Sequence, residues 1–159
     1  MVTAEKIERT ALRNLLHNED YTRKVLPFLK PEYFQDRNER VVFTEIQKFI
    51  SQYNKRPTKE TLQIDLGKRK DLNEDEYKQI VSLITSLNPE DVDLDWLVNT
   101  TEKFCKDRAV HNAVMEGIHI LDGKDKKQNP EAIPEILRDA LSVSFDNAVG
   151  HDYLLDIEK

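Results

Sequence analysis

The chain reads as an all-α protein: a compact helical bundle, then a long antiparallel helical hairpin, then a C-terminal linker. Three observations predict this. Only four glycines and six prolines punctuate 159 residues, which favours few, long elements. Between these breakers the strong helix formers Leu, Glu, Lys and Arg dominate. Apolar side chains recur at intervals of three and four, the period of one helix face. The expected division is residues 1–92 for the bundle, 93–145 for the hairpin and 146–159 for the linker.

The first helix is expected from Thr3 to about His17, with Ile7, Ala11, Leu12, Leu15 and Leu16 as its apolar stripe. Thr3 suits its cap, Glu5 its first turn and His17 its C-terminal end. A short second helix, from about Asp20 to Phe28, carries Tyr21, Val25, Leu26 and Phe28. Pro31 interrupts it, and Tyr33 and Phe34 form an aromatic plug beneath the turn. The third helix, about Arg37 to Asn54, presents Val42, Ile46, Phe49, Ile50 and Tyr53, and stops before Pro57. Thr58 caps a fourth with Leu62, Ile64 and Leu66, and Gly67 is expected to close it in a left-handed conformation. Asn73 and Glu76 make a capping-box pair for the fifth. Its buried face is Tyr77, Ile80, Val81, Ile84 and Leu87, and Asn88-Pro89 ends it.

From Asp93 to about Asp122 the sole breaker is Gly117. Some thirty residues make a rod of roughly 45 Å. A bundle of about ninety residues is only about 25–30 Å across, so the rod should project from it. Leu94, Leu97, Val98, Phe104, Cys105, Met115, Ile118 and Leu121 are spaced for burial along most of the rod. After Gly123 and a lysine-bearing loop, Asn129 and Pro130 start a second arm with Ile133, Ile136, Leu137, Ala140 and Leu141. Two amphipathic helices have too little core to stand alone and need a partner surface, most simply a second copy. Phe104, Met115, Ile118, Ile136, Ala140 and Leu141 are the expected interface residues.

Beyond Phe145 the chain is polar up to Gly150-His151-Asp152, then turns amphipathic at Tyr153-Leu154-Leu155-Asp156-Ile157. A fresh apolar turn with nothing left to pack on reads as a linker segment. Tyr153, Leu154 and Ile157 are its expected docking face.

The chemistry-bearing patterns are sparse. The formal charge is −6, from 24 basic and 30 acidic residues, which argues against a dedicated nucleic-acid-binding domain. Any single-stranded DNA binding should be weak. The basic clusters Lys68-Arg69-Lys70 and Lys124, Lys126, Lys127 fall at helix ends, where the backbone dipole alone favours cations. The run Glu90-Asp91-Val92-Asp93-Leu94-Asp95 lacks the glycine and terminal glutamate of a calcium loop, and suits a helix N-terminus better. Gly117 to Gly123-Lys124-Asp125 has the wrong spacing for a phosphate-binding loop, and Asp125 would repel phosphate. Asp107, His111 and His119 supply no third ligand at motif spacing. Cys105 has no histidine partner at a nucleophile's spacing and fits a small buried residue. Trp96 fits an anchor of the rod better than a base-stacking platform. No catalytic, cofactor or metal residue is therefore expected. No apolar run is long enough to cross a membrane. A lone cysteine and the absence of a signal peptide fit the cytosol.

Two segments carry a family resemblance. Residues 132–156, AIPEILRDALSVSFDNAVGHDYLLD, resemble the junction between the N-terminal domain and the ATPase motor of DnaB-type replicative DNA helicases, in particular those of T-even-type phages. Residues 28–62, FLKPEYFQDRNERVVFTEIQKFISQYNKRPTKETL, are similar to the N-terminal domain of that family. The resemblance implies an oligomerising collar: hairpins pair subunits into dimers, and three dimers form a ring. It further implies docking of a primase or a helicase loader, and a cytoplasmic setting in an infected host if the chain is phage-encoded. ATP and Mg would belong to a motor domain beyond Lys159. A stand-alone helical adaptor that binds a protein partner through the hairpin is the alternative reading. A small helical metalloenzyme is a third.

Overall fold

A computed structural model describes residues 4–125 and 127–145, with the side chains of residues 4 and 5 left undescribed. The first helix, α1 (Ala4–His17), turns sharply into α2 (Glu19–Val25). Asn18 makes the turn, its side chain accepting from the Tyr21 amide. Thr3, the expected cap of α1, lies outside the described residues.

The expected second helix is split. Pro27 and Pro31 remove amide donors, so the chain passes through two short 3-10 turns, Leu26–Phe28 and Pro31–Tyr33. Leu29, Tyr33 and Phe34 are buried beneath them, whereas Phe28 is only half-buried. The plug is real: Phe34 stacks on Phe43 with ring centroids 4.9 Å apart. Asp36 then caps α3 (Arg37–Tyr53), accepting from the Glu39 amide at 3.0 Å. Asn54 stops α3 in the left-handed region at φ 57°, its amide donating to the Ile50 carbonyl.

Thr58 caps α4 (Lys59–Gly67) through the Thr61 amide. Gly67 departs from expectation. It remains helical, and Lys68 follows in the right-handed region. The smallness of Gly67 serves packing instead: a Cβ there would lie 3.4 Å from the Tyr77 hydroxyl. That hydroxyl donates to the Gln63 carbonyl at 2.9 Å. Asn73 and Glu76 form the expected capping box of α5 (Glu74–Ser86).

These helices pack around α3, which touches α1, α4 and α5. Tyr21, Phe34, Phe43, Leu12, Leu15, Ile46, Leu62, Leu66, Ile80 and Ile84 are the large, fully buried side chains at the centre. Tyr53 and Ile64, assigned to apolar stripes above, face solvent instead. Tyr53 is the last residue of α3, and Ile64 lies about 160° around α4 from the buried Leu62 and Leu66.

The long helix α6 spans Leu94–Leu121, about 42 Å at 1.5 Å per residue. Gly123 follows at φ 75°, a conformation that other residues adopt with strain. Asn129 caps a 3-10 turn, Pro130–Ala132, which leads into α7 (Ile133–Leu141). The chain divides into two compact units, Met1–Thr101 and Glu102–Lys159. The first turns of α6 thus belong to the bundle. All described regular elements are helical.

Candidate functional site

Within the second unit, α6 and α7 meet at a small-residue contact. Ala109, Ala113 and Gly117 recur at four-residue spacing on one buried face of α6. A Cβ on Gly117 would lie 3.5 Å from Ile133 Cγ2. Polar ties close both ends of the pairing. Gln128 donates to Glu116 at 2.8 Å, and Glu102 accepts from the Phe145 amide at 2.9 Å and from the Ser144 hydroxyl at 3.2 Å.

The other side of α6 is also apolar. Val114, Met115, Ile118 and Leu121 are exposed. At about 100° per residue, their mean direction lies about 130° around the helix from the Ala109–Gly117 face. A helix apolar on two sides is normally covered on both. Here one side is covered and the other is open.

The expected interface residues sort accordingly. Met115, Ile118 and Leu141 are exposed, at 41%, 42% and 73%. Ile136 is half-buried. Phe104 and Ala140 are buried within the single chain, so neither offers a free surface. Val114 was not singled out, because its neighbours Ala113 and Met115 blur the period on an all-round apolar helix. Tyr153, Leu154 and Ile157 lie outside the described residues.

Other singled-out residues carry structural roles. Of the acidic run, Asp93 caps α6 through the Trp96 amide at 2.8 Å, and Glu90 accepts from Arg13 and Asn14. Trp96 itself is 46% exposed and is not the buried anchor expected of it. Of the first basic cluster, Arg69 is committed to Asp71 at 2.6 Å and to Glu45 at 3.3 Å. Its hydrogen bond to Asp71 raises the guanidinium further and holds the Asp71 carboxyl below the usual range. Asp107 pairs with Lys103. His17 bonds the Leu87 carbonyl at 2.7 Å, tying α1 to the end of α5. Burial, with a smaller contribution from Glu102, pushes the Cys105 thiol up to about 12. A thiol so held is a poor nucleophile. Among the described residues no group of His, Cys, Asp and Glu is arranged to hold a metal ion. No described helix is long and apolar enough to cross a membrane.

Residues 2–95 match the family described as DnaB-like helicase N terminal domain. The chain belongs to that family. The match covers the whole α1–α5 bundle and the start of α6. The chain is also 35% identical, over 155 residues, to a DnaB-like replicative helicase of Enterobacteria phage T4. That alignment takes in 92% of this chain and 32% of the relative, so the chain spans about a third of the length of the curated relative it matches. It extends through the hairpin, beyond the stretch that defines the DnaB-like N-terminal domain.

Proposed function

We propose that this DnaB-like N-terminal domain is the assembly module of a phage replicative DNA helicase, and that the open face of its hairpin pairs with a second copy. One observation carries the reading: the exposed Val114, Met115, Ile118 and Leu121 on a helix whose opposite side is already closed. Such a face is costly in water and gains by burial against its own copy about a two-fold axis. Met115, Ile118 and Leu141 form the contact, with Ile136 beside them. In the full-length helicase, pairs of this kind would build the hexameric collar on which a primase or loader docks. ATP and Mg act in the motor domain, and this chain contributes assembly, not hydrolysis. Residues 146–159 would connect the two, with Tyr153, Leu154 and Ile157 docking on a neighbouring motor.

Sedimentation velocity with circular dichroism tests the pairing. The wild type should dimerise reversibly. In Ile118→Glu, and likewise Met115→Glu, a carboxylate enters the seam without a partner, at a cost of about 3 kcal/mol or more. That weakens the dimer by about a hundredfold or more. Helical content should be unchanged, because both positions face solvent in the single chain. A wild type that stays monomeric at high concentration refutes the reading.

A further inference from the structure

The bundle holds two acidic side chains that its packing alone does not explain. Glu8 on α1 and Glu39 on α3 are 2% and 3% exposed. Their carboxyl groups lie within hydrogen-bonding reach of each other. Glu8 Oε1 accepts from the Gln35 amide at 3.0 Å, and Glu39 Oε2 from Arg9 Nε at 2.9 Å. Glu39 Oε1 is buried and has no donor. The two line a cleft of about 770 Å³ between α1 and the start of α3.

Arg9 thus bonds Glu39 alone, Glu8 has the Gln35 amide, and the orphan oxygen is on Glu39. Two carboxylates in such contact do not both ionise readily. The remaining charged groups nearby are engaged elsewhere. Arg13 pairs with Glu90 at 3.2 Å, and Asp36 accepts from the Glu39 amide. Arg40 donates to the Phe34 and Gln35 carbonyls. Lys6 lines the cleft and has its own interaction. From α5, the adjoining recess receives Gln79, Ser82 and Ser86, none of them charged.

We propose that Glu8 and Glu39 bind a single proton between them, that Glu39 donates it to Glu8 in a bond fastening α1 to α3, and that loss of this proton loosens α1. The bond gives Glu39 Oε1 the partner it otherwise lacks. Burial first, and the neighbouring Glu8 after it, push the Glu39 carboxyl from the usual 4.5 to about 7, against the pull of Arg9. The folded chain therefore keeps a proton that the unfolded chain releases. The stabilisation is complete below pH 4.5 and is lost as pH rises through about 7. Between pH 5 and pH 8 the folding constant should fall by about 70-fold relative to a chain without the shared proton.

Glu39→Gln tests this, because its amide is a permanent donor to Glu8. Urea unfolding of the full chain at pH 5 and pH 8 should show the large loss in the wild type. Glu39→Gln should lose far less, and should be the more stable of the two at pH 8. Carboxyl-carbon NMR titration of the wild type needs no variant, and should show a buried carboxyl titrating near neutrality. Amide exchange in α1 and at Gln35, corrected for intrinsic rates, should quicken at pH 8 in the wild type alone. Parallel losses in wild type and variant would overturn the proposal. So would ordinary titration of both carboxyls, a result that stands even if Glu39→Gln fails to fold.

Discussion

Replacing Gly117 by alanine should stabilise the hairpin, and replacing it by leucine should not. Glycine in a helix interior costs about 0.8–1 kcal/mol relative to alanine, because the free chain has more conformational freedom to lose. The position is buried but not closed to a methyl group. A Cβ would meet Ile133 Cγ2 at 3.5 Å, Cγ1 at 3.9 Å and Cδ1 at 4.0 Å, all ordinary contacts. Each such contact adds only about 0.1–0.2 kcal/mol, so the propensity gain decides the sign, and the net is about 1 kcal/mol of stabilisation. Leucine carries three further carbons into the space that Ile133 fills. Overpacking of that kind costs about 1–3 kcal/mol and offsets the gain or exceeds it. Urea unfolding followed by circular dichroism reads both values. A loss of 1 kcal/mol or more in Gly117→Ala would mean that α7 packs more tightly on α6 than the 3.5 Å approach implies. A leucine variant as stable as the alanine variant would mean that Ile133 does not hold that face.

Two further outcomes are expected. Cys105 is fully buried with its thiol pushed up to about 12, so at pH 8 it should react with a chromogenic disulfide reagent only as the chain opens. Stoichiometric reaction of the folded protein on mixing would contradict that. Tyr21 and Thr101 are buried and share a hydroxyl hydrogen bond of 2.8 Å that ties α2 to the first turns of α6. A Tyr21→Phe, Thr101→Val double-mutant cycle should give a coupling of about 1 kcal/mol, and additive losses would show the bond to be idle.

The helical period, the caps and the spacing of breakers together located the α-helices among the described residues. Caps located their starts most sharply, because Thr58, Asn73 and Asn129 hold side-chain oxygens at fixed offsets from free amides, whereas the Asp36 cap of α3 emerged only in the structure. Gly67 was misread because two physical reasons for glycine look alike in sequence. One is a left-handed backbone, and the other is room for a neighbour, here Tyr77. Tyr53 was misplaced because the period gives a face but not where the core ends along it, and Ile64 because two-residue spacing puts it on the opposite side of α4 from Leu62 and Leu66. The carboxyl pair was the largest omission, although the signal was present. Glu8 falls among Ile7, Ala11, Leu12 and Leu15, and Glu39 precedes Val42, Phe43 and Ile46 on the buried stripe of α3. A charged residue inside an apolar stripe is buried with a partner or titrates unusually, and both carboxyls meet that condition.

The hairpin face was only partly legible, for a reason that bears on its function. A helix packed on one side shows its interior as a contrast between apolar and polar residues. The later half of α6 shows little such contrast, because both of its sides are apolar. What separates them is size. Ala109, Ala113 and Gly117 line the covered side, where Gly117 comes close to Ile133. Val114, Met115, Ile118 and Leu121 line the open side, where long side chains can fill the gap to a second surface. Small residues leave room for a neighbour's side chain, as Gly117 does for Ile133. Large ones give most of the free energy of burial, about 1.5–3 kcal/mol for each side chain fully covered. An uncovered row of four is therefore more than a folded chain gains from leaving in water, and is the amount of apolar surface that a reversible pairing of hairpins would draw on. Polarity identifies α6 as a helix that needs cover, and side-chain volume identifies which of its two sides the chain covers by itself.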